Sequence, residues 1–340
     1  MKFIKDTLFS LSSLPAIGSI SAAADKCAEI LKDFSDINRP DSLTIRGYIK
    51  GDSDYALLLD AHIDQIGFVV TDISDDGFLT VANSGGFDLR ILPSKRVLIH
   101  SSSGKEYIGV FCSVPPHLLK ADSVFEDIKD IKIDSLLGKA AKDKISVGDF
   151  VTFCGSPCRL EGGRVLSPAL DDRAGVTVLL ELARRFSIKK PPISVIFQIS
   201  NMEELGLRGA KTAAFREDPD EAIAIDVSFA TAPDVPGDKA KELSGGTMIG
   251  ISPVLNRKIS DKLSFLAQKS EIPYQSEVMA SSTGTNADVI SITKSGIKTG
   301  LLSVPIRNMH TPAEVLDLSD IKSTCDILES YIRSGGIKDE

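Results

Sequence analysis

Four apolar runs, spaced along the chain and separated by helix-patterned segments, constrain the fold most. They are ALLLD at 56–60, SVIFQIS at 194–200, EAIAI at 221–225 and LLSVPI at 301–306. A short run with no polar face reads as a strand covered on both sides. Helical spacing marks 21–34, 171–186, 206–215, 258–270 and 318–335. Strands alternating with helices predict an α/β fold, a mostly parallel mixed sheet with helices on both faces.

From about 67 to 162 the texture changes. Short β-prone pieces such as GFVVTDI, FLTVAN, RVLIHSS and YIGVFCS are separated by the turn signals DDG, SGG and SSSG. This predicts a small barrel-like β domain over 67–162, inserted into a catalytic α/β domain built from 1–66 and 163–340. The charged stretch 121–144 carries no clear pattern.

The chain of 340 residues has a net charge of −8, a poor balance for holding polyphosphate, so no nucleic-acid partner is expected. No segment reaches the apolar length of a membrane span. Asp6, the serines and Pro15 interrupt the first apolar residues, so no secretory leader is expected. Five cysteines, an odd and small count, suit reduced thiols and a cytoplasmic location. Cys154 and Cys158 lack the further ligands that would complete a metal clip.

In open α/β sheets, ligands bind beyond the carboxyl ends of the strands. The first run leads into His62 and Asp64. SVIFQIS leads into Glu203 and Glu204, EAIAI into Asp226, and LLSVPI into His310. SPAL leads into Asp171 and Asp172 just before a helix. Each residue alone has a structural reading: an acid favoured at a helix N-terminus, a turn cap, a hydrogen-bonded histidine. Together, five segments delivering His or carboxylate to one expected edge point to metal. The donors suit Zn²⁺, and also Co²⁺ or Mn²⁺. Two histidines and three carboxylates exceed one catalytic zinc with an open position. They suit two ions roughly 3.5–4 Å apart sharing a carboxylate. Asp64, two residues beyond His62, is placed to orient that ring through its second nitrogen. His100 and His117 fall in the insertion and are expected to be structural.

The blocks DAHIDQIGF (60–68), ALDDRAG (169–175), MEELGLRGA (202–210), AIDVSFA (224–230) and MHTPAEV (309–315) resemble the dinuclear metallo-aminopeptidases that assemble as tetrahedral shells. That family includes glutamyl aminopeptidases and proteins once labelled endoglucanases. The resemblance spans nearly the whole chain. It implies a zinc-peptidase-like fold, with His62, Asp171 and Asp226 on one ion. On the other it implies Asp171, Glu204 and His310. It further implies Glu203 as general base, Asp64 as the residue orienting His62, short peptide substrates and a dodecameric homo-oligomer. Departures occur at Asn286, where the family usually has Asp, at Asn308, where it has Tyr, and within 133–141, where its usual motif is indistinct. None removes a ligand; Asn286 and Asn308 bear on the polarity or support of the substrate pocket. The competing functions are another metal-dependent amide hydrolase, such as a deacylase or dipeptidase, and a catalytically idle shell. An idle shell is expected to lose ligands or base, and all six residues are present.

Overall fold

The computed structural model describes residues 1–118 and 127–337. The chain opens with α1 (Lys2–Ser12) and α2 (Ala22–Leu31). The first was not expected: Ile4, Leu8 and Leu11 recur at helical spacing and are fully buried. Next, β1 (Asp36–Asp41) and β2 (Thr44–Ile49) pair antiparallel, and β3 (Ala56–His62) follows. β1 tolerates Pro40 because it lies at the sheet's edge, where a missing N–H breaks no interior ladder.

Six strands then close a barrel: β4 (Gly67–Ile73), β5 (Phe78–Ser84), β6 (Arg96–His100), β7 (Glu106–Phe111), β8 (Ile133–Asp134) and β9 (Phe150–Phe153). Alternate residues fill it, with Phe68 meeting Phe87, Phe111 and Phe153 edge to face. Closure removes the free edges that short antiparallel strands otherwise expose. Of the charged stretch 121–144, residues 121–126 lie outside the described residues. The remainder supplies β8 and short 3₁₀ turns.

After the barrel come β10 (Cys158–Arg159), β11 (Arg164–Ser167), α3 (Leu170–Ile188), β12 (Ser194–Ser200), α4 (Arg208–Glu217) and β13 (Glu221–Phe229). Then follow β14 (Thr247–Ile251), α5 (Arg257–Lys269), β15 (Tyr274–Val278), α6 (Ala287–Ser291), β16 (Lys298–Ile306), β17 (Glu314–Asp317) and α7 (Leu318–Arg333). The eight-stranded sheet runs β1-β2-β12-β3-β13-β16-β14-β15. Its four central strands, β12, β3, β13 and β16, are parallel. β2 and β14 join this block antiparallel, so the sheet is mixed, as expected.

The main core lies between one face of the sheet and α1, α2, α3, α5 and α7. Phe197, Ile223, Ile225 and Leu302 meet Leu179, Leu182 and Leu328 there. Each fully buried aliphatic or aromatic side chain contributes roughly 1.5–3 kcal/mol. The other face is thinner: Leu58, Ile196 and Ala222 pack on Ala210, Ala214 and Ile290 from α4 and α6. Side chains alternate between faces along a strand. His62 therefore shares this second face with Leu58, as Asp226 does with Ala222.

Candidate metal centre

Register brings the donors together. β12 and β3 pair so that Ser200 lies beside His62, and the chain beyond Ser200 turns at once through Glu203 and Glu204. Met202, with φ of 60°, makes that turn. Asp226 lies within β13 beside Ser303. His310 follows β16 after a turn through Asn308, whose φ is 57° and whose side chain donates to the Ala313 carbonyl. Asp171 arrives differently from the expectation. Its preceding strand, β11, is not in the large sheet but pairs with β10 and β17 in a three-stranded one. That small sheet carries the start of α3 to the edge where the other donors end.

Asp171 lies between the two histidines. His62 Nε2 is 3.2 Å from Asp171 Oδ1, and His310 Nε2 is 3.2 Å from Asp171 Oδ2. Asp226 Oδ1 stands 3.9 Å from His62 Nε2, and Glu204 Oε1 stands 3.3 Å from His310 Nε2. Two groups result, His62/Asp171/Asp226 and Asp171/Glu204/His310, each with ligand atoms within 4.8 Å of one another. These are the two sets that the resemblance implies. Glu203 is set slightly back, its Oε2 4.0 Å from His62 Nε2.

Asp64 meets both the His62 ring and the turn beyond β12. The Nδ1–H of His62 donates to the Asp64 backbone carbonyl at 3.1 Å, while the Asp64 carboxylate is 3.6 Å from that nitrogen. The carboxylate instead accepts from the backbone amides of Glu203 at 3.1 Å and Glu204 at 3.2 Å. It fixes the turn that presents the adjacent acids.

The electrostatics of the metal-free site have the histidines standing in for cations. Burial alone would lower the His310 pKa, but hydrogen bonds to Asp171 and Glu204 outweigh it and push it up to about 11. His62 is likewise raised, its burial outweighed by Asp171 and Asp64. Burial would raise Asp171, but the two histidines hold it below the usual carboxylate range. Glu203 is raised to about 7 by burial, which outweighs the attraction of His62, with Glu204 adding repulsion. A pocket that gathers acids around imidazoles fits the charge and donor chemistry of divalent ions.

Three residues around the site, Glu314, Asp60 and Gly85, were not picked out from the sequence. Glu314, buried beneath the Asp171 turn, accepts from the amides of Leu170, Asp171 and His310. It lies within the MHTPAEV block, four residues past His310, the one local signal available. Asn286, marked in the sequence as a departure, is buried at 3% exposure and leads to Asp60. Its amide donates to Asp60 Oδ1 and Ser200 Oγ, and Asp60 also accepts from Gln198. Asp60 was legible only as an acid inside an apolar run. Lastly, the barrel reaches the centre through Gly85, where an added Cβ would lie 3.1 Å from Glu204 Oε2. The His100 ring, on the face of β6 opposite the barrel-filling Val97 and Ile99, bonds Glu106 and Thr152.

A mixed sheet with a barrel set into it and paired His/carboxylate groups at its edge belongs to the metal-dependent peptidases. Within that class, residues 44–327 match the model of the M42 glutamyl aminopeptidases, and the chain belongs to that family. It is 32% identical over 319 residues to a lysyl aminopeptidase of Pyrococcus furiosus, covering 91% of this chain and 90% of that protein. Among solved structures, an aminopeptidase from the archaeon Desulfurococcus kamchatkensis superposes with a TM-score of 0.91 at 32% identity, covering 98% of this chain and 95% of that one. The Pyrococcus horikoshii TET1 peptidase, described as assembling into a tetrahedron or a large octahedral shell, gives a TM-score of 0.86 at 29% identity. The match covers 97% of this chain and 99% of that one. The chain is thus a peptide hydrolase of a family that employs divalent metal.

Proposed function

We propose that this aminopeptidase removes residues from the free amino end of short peptides, using two divalent ions and Glu203 as general base. One observation carries the two-ion reading: the opposite oxygens of Asp171 each lie 3.2 Å from a different histidine. One carboxylate is therefore available to two ligand sets. His62, Asp171 and Asp226 would hold one ion, and Asp171, Glu204 and His310 the other. Zn²⁺ suits these donors first, with Co²⁺ or Mn²⁺ also accepted. Ions so held supply activation of water and polarisation of the scissile carbonyl.

The protein's own part is proton handling and positioning. Glu203 stands beside the cluster without entering either ligand set. Its carboxylate, outside both sets, is free to accept a proton and return it to the departing amine. The separate roles explain the adjacent acids: a carboxylate engaged as ligand is not free to shuttle protons. Asp64 keeps both in place through their backbone amides.

We read the chain as a cytoplasmic homo-oligomer. All five cysteines are free, which suits a reducing compartment, and no described helix is long and apolar enough to cross a membrane. A tetrahedral dodecamer is the form suggested by the TET1 relatives, one of which is described as a dodecamer.

The test is a panel of aminoacyl chromogenic substrates assayed after chelation and again after adding Zn²⁺, Co²⁺ or Mn²⁺. Activity is expected to vanish with the chelator and return with metal. Activity indifferent to a strong chelator overturns the metal reading. Cleavage confined to acylated substrates makes the protein a deacylase.

A further inference from the structure

The two ligand sets differ in how they are held. His62 and Asp226 lie on central strands of the large sheet, where neighbouring strands fix the backbone. The other set, Asp171, Glu204 and His310, lies in turns or at a helix start. Ala169, Met202 and His310 in those segments have φ of 58°, 60° and 59°. Left-handed backbone is disfavoured for residues with a Cβ, and it persists only where surrounding contacts over-determine it. Something must hold these segments in register with one another.

Two carboxylates do so. Asp64 holds the Glu203–Glu204 turn. Glu314, 2% exposed, holds the rest. It begins β17, and pairing with β11 sets it opposite Ser167, directly beneath the turn into α3. Its Oε2 accepts from the amides of Leu170 at 2.7 Å and Asp171 at 3.2 Å, and its Oε1 accepts from the amide of His310 at 2.9 Å. A carboxylate is an acceptor on both oxygens, so one side chain can tie two donor-bearing turns together.

We propose that Glu314 is a positioning residue for one ion of the pair. By joining the Asp171 and His310 backbones, it sets the 3.2 Å approach of Asp171 Oδ2 to His310 Nε2, on which the Asp171/Glu204/His310 site depends. The strand-borne donors His62 and Asp226 do not need it, so their ion feels Glu314 only through the shared Asp171. This rests on the two-ion reading above, and the experiment separates the two.

Glu314→Gln keeps size and shape but presents an NH₂ donor to one of the two turns. Metal content after dialysis and stepwise affinities by competition with a chromophoric chelator are measured for wild type and variant, using Zn²⁺ and Co²⁺. Wild type is expected to hold two ions. The variant is expected to bind the Asp171/Glu204/His310 ion about 10–100-fold more weakly, the usual effect of losing a residue that orients a ligand, and the other ion, which shares only Asp171 with it, distinctly less so. In a His310→Ala background, Glu314→Gln is expected to cause no further loss at that site, since it is already broken. Unchanged affinity for both ions, with only a lower melting temperature of the metal-free protein, overturns the proposal and leaves Glu314 a packing residue. Equal weakening of both ions overturns it too. A wild type that takes up no divalent metal instead brings down the two-ion reading itself. Should the Gln variant fail to fold, Glu314→Asp, too short to span both turns, is judged by the same criteria.

Discussion

Glu203 and Glu204 are chemically identical neighbours separated by their surroundings. Glu204 lies 3.3 Å from His310 Nε2 within a ligand set, while Glu203 stays outside both sets with its pKa lifted by burial. Glu203→Gln is therefore expected to keep bound metal, measured by elemental analysis, while kcat falls by about 10²-fold or more. Full activity in that variant removes Glu203 from the mechanism. The histidines carry a second expectation. In the metal-free protein His62 and His310 have raised pKa values, the latter about 11, so both hold protons at neutral pH. Ligation requires the neutral ring. Metal uptake should then release protons, and apparent affinity should weaken as pH falls. Calorimetry in buffers of different ionisation enthalpy reads the protons directly; no release across the neutral range argues against histidine ligation.

At the scale of elements, the barrel touches the chemistry. Gly85, just beyond β5, has φ of 87°, and a Cβ there would lie 2.6 Å from Ile66 Cγ2 and 3.1 Å from Glu204 Oε2. A side chain there would press the loop away from Ile66 and Glu204. Gly85→Ala is expected to displace the loop or Glu204. A shift of about 1 Å at a reacting centre costs on the order of 10²-fold in rate. The comparison is kcat/KM at saturating metal together with circular dichroism, and an active, fully folded variant sinks the idea. Arg173 ties another element to the site. Buried at the start of α3, it donates to the Leu11 and Leu14 carbonyls at the end of α1 and to Gln65 beside the centre. An arginine following Asp-Asp was readable in the sequence, but its partners were not, because α1 itself went unread.

For the whole molecule, sedimentation or light scattering is expected to find a dodecameric particle; a monomer that is fully active with metal would separate activity from assembly. Much of this architecture was legible in the chain. Continuous apolar runs can bury both faces only in a covered sheet, which settled the α/β class and marked β3, β12, β13 and β16. Ionisable residues at the ends of such runs have few places to go but the carboxyl edge, which singled out His62, Glu204, Asp226 and His310. Local pattern could not say that Asp171 reaches that edge from a separate three-stranded sheet, nor that its two oxygens face different histidines. Nor could it reveal the roles of Asp64 and Glu314 as acceptors for backbone amides. Those bonds join residues 139 and 143 positions apart, from Glu203 to Asp64 and from Asp171 to Glu314. Every residue but proline carries the same amide, so no sequence pattern marks which amide a buried carboxylate will meet. Side-chain type and order determined which donors exist; only the packing of sheet, barrel and turns decided how they are shared and held.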